Sequence, residues 1–176
     1  MYKRIFAAFA LVLSAAPALA ADFALSSADF ADGGRLAEAQ VLDGFGCHGG
    51  NQAPRLSWTA PPAGTQSFAV TAYDPDAPTG SGWWHWVVFD IPASARSLGG
   101  AAPLPEGAKQ GRTDFGGQGY GGACPPPGPA HRYVFTVFAL KTARLPAGAE
   151  ASGAMAGFMI RANTLAEASV TARYGR

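Results

Sequence analysis

The chain has 176 residues, of which 48% are apolar, with 13 basic side chains against 12 acidic ones. Near-balanced charge excludes recruitment of nucleic acid by bulk electrostatics. The length suits one folded domain rather than two, and no repeat, low-complexity linker or charge block divides it.

Tyr2-Lys3-Arg4 precedes an apolar run from Ile5 to Ala16, which ends in Pro17-Ala18-Leu19-Ala20. A basic start, a short apolar middle and a small-residue pair form the layout of a secretory signal peptide. The run falls short of the ~20 residues that span a bilayer, so it is no transmembrane anchor. Cleavage is expected after Ala20, giving residues 1–20 as signal peptide and 21–176 as the domain. The competing reading is a buried N-terminal helix. Without Lys3 and Arg4 the domain carries 11 basic and 12 acidic residues, a net charge of −1. The expected location is periplasmic or secreted.

Two cysteines remain, Cys47 and Cys124. In an exported chain the default is a disulfide between them. It would close a loop of roughly 77 residues, contributing about 4 kcal/mol on a chain-entropy estimate. The alternative is a free thiol nucleophile, Cys47 beside His48, although neighbours on an extended chain point to opposite faces. His48 is expected to face solvent or serve structure.

Gln66 to Tyr73 alternates, with Phe68, Val70 and Ala72 on one face, and predicts a strand more buried on one side. Asp74-Pro75-Asp76-Ala77-Pro78 follows it. The two prolines fix φ, so this loop holds its carboxylates in a narrow range of directions, although Asp-Pro-Asp is also an ordinary turn. Next, Gly82-Trp83-Trp84-His85-Trp86 opens a strand running from Trp84 to Ile91. On an extended strand His85 points away from Trp84 and Trp86, so the indoles can anchor the core while the imidazole faces a cleft.

Gly119-Tyr120-Gly121-Gly122-Ala123-Cys124 leads through Pro125-Pro126-Pro127-Gly128 to His131-Arg132-Tyr133. The glycines permit close backbone approach to a ligand and the prolines stiffen the return. Arg132 to Leu140 is apolar on both faces and reads as an interior strand, with His131 and Tyr133 on one face, ready to meet His85. Arg55 and Arg132 are expected in structural ion pairs, with Asp76 or Asp90 as candidate partners. From about Ser152 to Glu167, Met155, Phe158, Met159, Ala162, Leu165 and Ala166 follow helical spacing. Ser169 to Tyr174 is β-prone. The fold class is mainly β (α+β), with one late helix.

Taken in order, Asp74 to Pro78, Gly82 to Trp86, Tyr120 to Pro126 and His131-Arg132-Tyr133 resemble the signature blocks of the phosphatidylethanolamine-binding family. The branch they resemble is the bacterial YbhB/YbcL-type Raf kinase inhibitor-like proteins. Gly44 to Asn51 and Pro54 to Trp58 are similar to that branch as well, so the resemblance runs from about Phe23 to Tyr174. It implies two antiparallel β-sheets and a small cavity for phosphate, acetate or a phospholipid head group. On matching positions that cavity would be built by Asp74, His85, Tyr120, His131 and Tyr133, with backbone from Gly122 and the Cys124-Pro125 turn. Cys124 stands where many relatives have a small residue, a departure that the bridge to Cys47 explains. Eukaryotic members often add a C-terminal helix at the rim; Tyr174 to Arg176 offers no counterpart, which leaves rim specificity open.

The resemblance thus points to a non-catalytic binder of a small anion or phosphorylated head group that needs no cofactor. Two imidazoles and a carboxylate suit that guest if Asp74 supports the charged form of a histidine against the opposing effect of burial. Other readings use the same residues. His85, His131 and Asp74 have the composition of a two-histidine, one-carboxylate metal centre. A serine hydrolase lacks its elbow, since Gly80-Ser81-Gly82 is not G-x-S-x-G. A protein partner, such as a protease inhibited by surface contact, is a further alternative, and an exposed edge strand could support a homodimer.

Overall fold

The computed structural model describes residues 22–176, so the expected signal peptide lies outside the described residues. In chain order the strands are β1 (Leu25–Ser27), β2 (Asp43–Gly44), β3 (Cys47–His48), β4 (Leu56–Trp58), β5 (Ser67–Asp74), β6 (Trp83–Pro92), β7 (Ser97–Leu98), β8 (Lys109–Gln110) and β9 (His131–Leu140). Helix α1 (Gly153–Asn163) and β10 (Thr164–Tyr174) follow. The principal sheet has the order β10-β9-β5-β6-β8, and a smaller one the order β1-β4-β7. β2 and β3 form a separate hairpin. All these named pairings are antiparallel.

β5 and β9 lie inside the principal sheet, and their sequences follow from what covers each face. On one side Phe68, Val70, Ala72, Tyr133, Phe135 and Val137 pack with Leu56, Trp58 and Leu98 of the small sheet. On the other, Ala69, Val87, Phe89, Phe138 and Leu140 pack under Ala156 and Ile160 of α1. A strand covered on both faces needs apolar residues at nearly every position. β9 meets that expectation. β5 departs from the one-sided burial expected of it, because the helix layer covers its second face too.

The helix is shorter and differently phased than its sequence suggests. It ends at Asn163, where the Asn163 side chain and the Thr164 hydroxyl bond the carbonyls of Met159 and Ile160. Leu165 and Ala166 therefore belong to β10, whose pairing with β9 outweighs continued helical periodicity. Its buried face is Gly153, Ala156 and Ile160, whereas Met155 and Phe158 are exposed. The reason is Trp84. A Cβ at Gly153 would lie 2.3 Å from the Trp84 ring, so only a small-residue face can settle on that indole. The Ser152 hydroxyl accepts from the Met155 N–H and caps the start.

Trp84 and Trp86 do not share a face, because β6 carries an extra residue. Ala72 pairs with Trp86 and Tyr73 with Trp84, which leaves His85 unopposed in a bulge. Trp84 consequently packs toward α1 and Trp86 toward the small sheet. His85 turns to the same side as Trp86, where its ring meets Tyr133 edge-on at 5.1 Å.

Candidate functional site

The small-sheet face of the principal sheet ends in polar residues. Beyond Ala72 on β5 stands Asp74, and before Phe135 on β9 stand Tyr133 and His131. All three are buried, and with His85 and Trp83 they line a cavity of about 240 Å³ that opens at the sheet end. Phe45, Phe115, Pro78, Cys124, Pro125 and Pro126 complete most of its largely apolar wall. That volume lies below the range of drug-sized sites and suits a small guest.

The Asp-Pro-Asp loop clasps the start of β9. Asp74 Oδ2 accepts from His131 Nδ1 at 2.7 Å, and Oδ1 accepts the Asp76 N–H at 2.8 Å. Asp76 in turn accepts from the Arg132 N–H, Nε and Nη2 at 2.9, 2.9 and 2.7 Å. Those Arg132 bonds hold the Asp76 carboxyl down at a pKa of about 2. Arg132 thus makes the structural pair expected of it. Arg55 binds Asp29 instead, and Asp90 meets Lys109 at 3.0 Å. His48 faces solvent.

The bulge aims His85 at the Gly-rich loop. Its Nδ1 donates to the Gly121 carbonyl at 2.7 Å, while the Gly121 N–H donates to the His85 carbonyl at 2.8 Å. Gly121 is required there, since a Cβ would fall 2.3 Å from the Phe115 ring. Burial is the largest influence on His85 and lowers its pKa, against the backbone of Gly121 and the charge of Asp74. For this ring burial therefore outweighs the carboxylate, and the empty pocket favours neutral imidazole.

With both Nδ1 atoms engaged, each ring retains only Nε2 to offer. The Tyr133 hydroxyl is buried without a hydrogen-bond partner, as is Trp83 Nε1. Burial, helped by the charge of Asp74, raises the Tyr133 pKa and keeps that hydroxyl a donor. A buried donor with no partner is costly unless a guest completes it.

Of the residues expected here, Asp74, His85, Cys124, Pro125, His131 and Tyr133 line one cavity. Tyr120 and Gly122 lie beside it. The Tyr120 hydroxyl donates to the Gln40 carbonyl at 3.0 Å, and the Gly122 N–H donates to Asn51 Oδ1 at 2.7 Å. A Cβ at Gly122 would meet the Leu42 nitrogen at 2.3 Å, so this glycine serves packing. Cys47 and Cys124 are joined by a disulfide with Cα atoms 6.0 Å apart. That bridge ties the β2–β3 hairpin to the cavity wall and excludes either sulfur as a free nucleophile. Sequence reasoning missed Phe45 and Phe115; the single signal for Phe45 is an aromatic residue between two glycines.

Among the described residues no three His, Cys, Asp or Glu side chains converge as metal ligands. Asp74 does not complete a triad with the imidazoles, because its oxygens are bound to His131 and to the loop backbone.

Comparison with known proteins places this chain in a family. The family model for phosphatidylethanolamine-binding protein matches residues 26–175, and the chain belongs to that family, in its bacterial YbhB/YbcL branch. It is 51% identical to YbcL of Escherichia coli over 164 residues, covering 89% of this chain and 90% of YbcL. It is 52% identical to E. coli YbhB over 155 residues, covering 85% of this chain and 98% of YbhB. The crystal structure of YbcL, described as a new member of the mammalian family, superimposes with a TM-score of 0.85, covering 89% of this chain and 99% of that one. The lipoprotein-named LppC of Mycobacterium tuberculosis is 40% identical over 137 residues, or 76% of this chain and 64% of LppC.

Proposed function

We infer that this protein is an exported, non-catalytic binder of a small anion, such as phosphate or a phosphorylated head group. The single observation that carries this reading is the set of polar atoms that face the cavity without a partner in the protein. Two imidazoles are held by Nδ1 so that Nε2 remains and becomes a donor once the ring is protonated, and the buried Tyr133 hydroxyl beside His85 has no partner in the protein. A phosphate would complete them with charge-assisted hydrogen bonds strengthened by the apolar walls. Its charge would also offset the burial that keeps His85 neutral, so binding draws a proton onto that ring.

Export is supported by the leader-like start of the sequence, by the disulfide and by the lipoprotein name of LppC. No helix among the described residues is long and apolar enough to cross a membrane. A protein partner, including a second copy, is a further reading. It is favoured by the exposed Met155 and Phe158 of α1 and by Leu165 at the start of β10.

Calorimetric titration of phosphate and phosphorylethanolamine from pH 5 to 8 tests the anion reading. Binding should weaken as pH rises and vanish in His85→Ala and His131→Ala. Absence of heat at every pH, with a folded protein, overturns it.

A further inference from the structure

One aromatic residue at the cavity mouth stands in a position that folding alone does not favour. Phe45 is 72% exposed and its backbone lies in the left-handed region at φ 50°. The backbone conformation is unfavourable for a bulky side chain. Strain of this kind persists where the surroundings enforce it, and it clusters at ligand clamps.

The enforcement is visible in the two residues that follow Phe45. Cys47 anchors the hairpin to Cys124 in the cavity wall. Arg176 spans the same gap, with Nε donating to the Pro125 carbonyl at 2.7 Å and Nη1 to the Gly46 carbonyl at 3.3 Å. A covalent bond and a guanidinium thus hold the backbone that carries this exposed ring at the pocket mouth. There it stacks on Phe115 at 5.9 Å, and Phe115 meets the rings of Trp83 at 5.4 Å and His85 at 5.3 Å, both edge-on. The result is a continuous apolar track from the imidazole that would receive the anion out to solvent.

We propose that Phe45 is a specificity-determining residue, selecting among phosphate monoesters those whose organic part carries an apolar group that lies along Phe115 and Phe45. The inference rests on the anion reading of the same cavity. Free phosphate would satisfy the inner donors while leaving the track exposed. An apolar ester covers it, and covering aromatic surface is favourable in proportion to the area removed from water.

The test compares methyl phosphate with phenyl phosphate, two monoesters of the same charge type, by calorimetry at one pH on the mature protein. Wild type should bind the phenyl ester about tenfold more tightly or better. Phe45→Ala should bring that ratio below about threefold, and Phe45→Tyr should keep it. The ratio is the readout because a merely structural role of Phe45 would weaken both esters together and leave it unchanged. Equal affinities in wild type, or a ratio insensitive to Phe45→Ala, overturns the proposal while the anion pocket stands. Failure of both esters to bind wild type overturns the anion reading and this inference with it.

Discussion

Removing the Tyr133 hydroxyl separates what the pocket does for the fold from what it does for a guest. The side chain is 2% exposed and its oxygen has no hydrogen-bond partner within the protein, so the fold itself gives that polar group no return for its desolvation. Leaving such a group unmade costs about 1–3 kcal/mol. Tyr133→Phe keeps the ring against His85 and deletes only that cost. In phosphate-free buffer the variant should therefore be more stable than wild type by about 1 kcal/mol, or roughly 2–4 °C in midpoint for a domain of this size. With phosphate at about 100 times its Kd, wild type gains about 2.7 kcal/mol. A variant lacking one donor to a charged acceptor binds about tenfold more weakly, gains about 1.4 kcal/mol at the same concentration, and loses its advantage. Urea denaturation with and without phosphate measures both terms. A variant less stable than wild type in phosphate-free buffer would show that the hydroxyl is already paired in the empty protein, and would refute the reasoning.

Three other perturbations test separate parts of the structure. Because burial depresses the His85 pKa below its unfolded value of 6.5, the unfolded chain binds more protons in that range, so stability should fall as pH drops below about 6.5. His85→Gln should flatten that slope, and an unchanged slope would count against a buried neutral ring. Replacing Cys47 and Cys124 together by serine should cost about 4 kcal/mol, given the 77-residue separation; denaturation showing no loss would mean that the bridge constrains nothing. Gly153→Ala should destabilise by about 1–3 kcal/mol despite alanine's better helix propensity, since the added Cβ would lie 2.3 Å from the Trp84 ring. A gain in midpoint would show that α1 does not rest on that indole.

Much of this architecture was legible because long strands advertise how they are covered. β9 is apolar at nearly every position and proved to be sandwiched, and the blocks around Asp74, His85 and His131 led to the cavity that unites them. What the sequence concealed depended on register and on close contact. Alternation predicts that Trp84 and Trp86 share a face, and no local signal marks His85 as the residue that breaks it. Helical spacing selected Met155 and Phe158 as the buried stripe. Large residues give the stronger periodic signal, yet it is the glycines that approach Trp84 closely. Tyr120 and Gly122 commit their polar groups to Gln40 and Asn51 rather than to the cavity, a choice of partner that position along a chain does not encode.

The bulge also bears on how such a site is built into a sheet. Tyr73 already pairs with Trp84 and Ala72 with Trp86, so β5 and β6 are complementary on either side of His85. Deleting that one residue would restore continuous pairing at this end of the ladder and cost the protein its inner imidazole, while the layers above and below kept their partners. The inner imidazole is in this sense an insertion, one residue long, into a pairing that resumes on either side of it. Ancestral or designed relatives lacking the insertion should keep the scaffold and lose the guest.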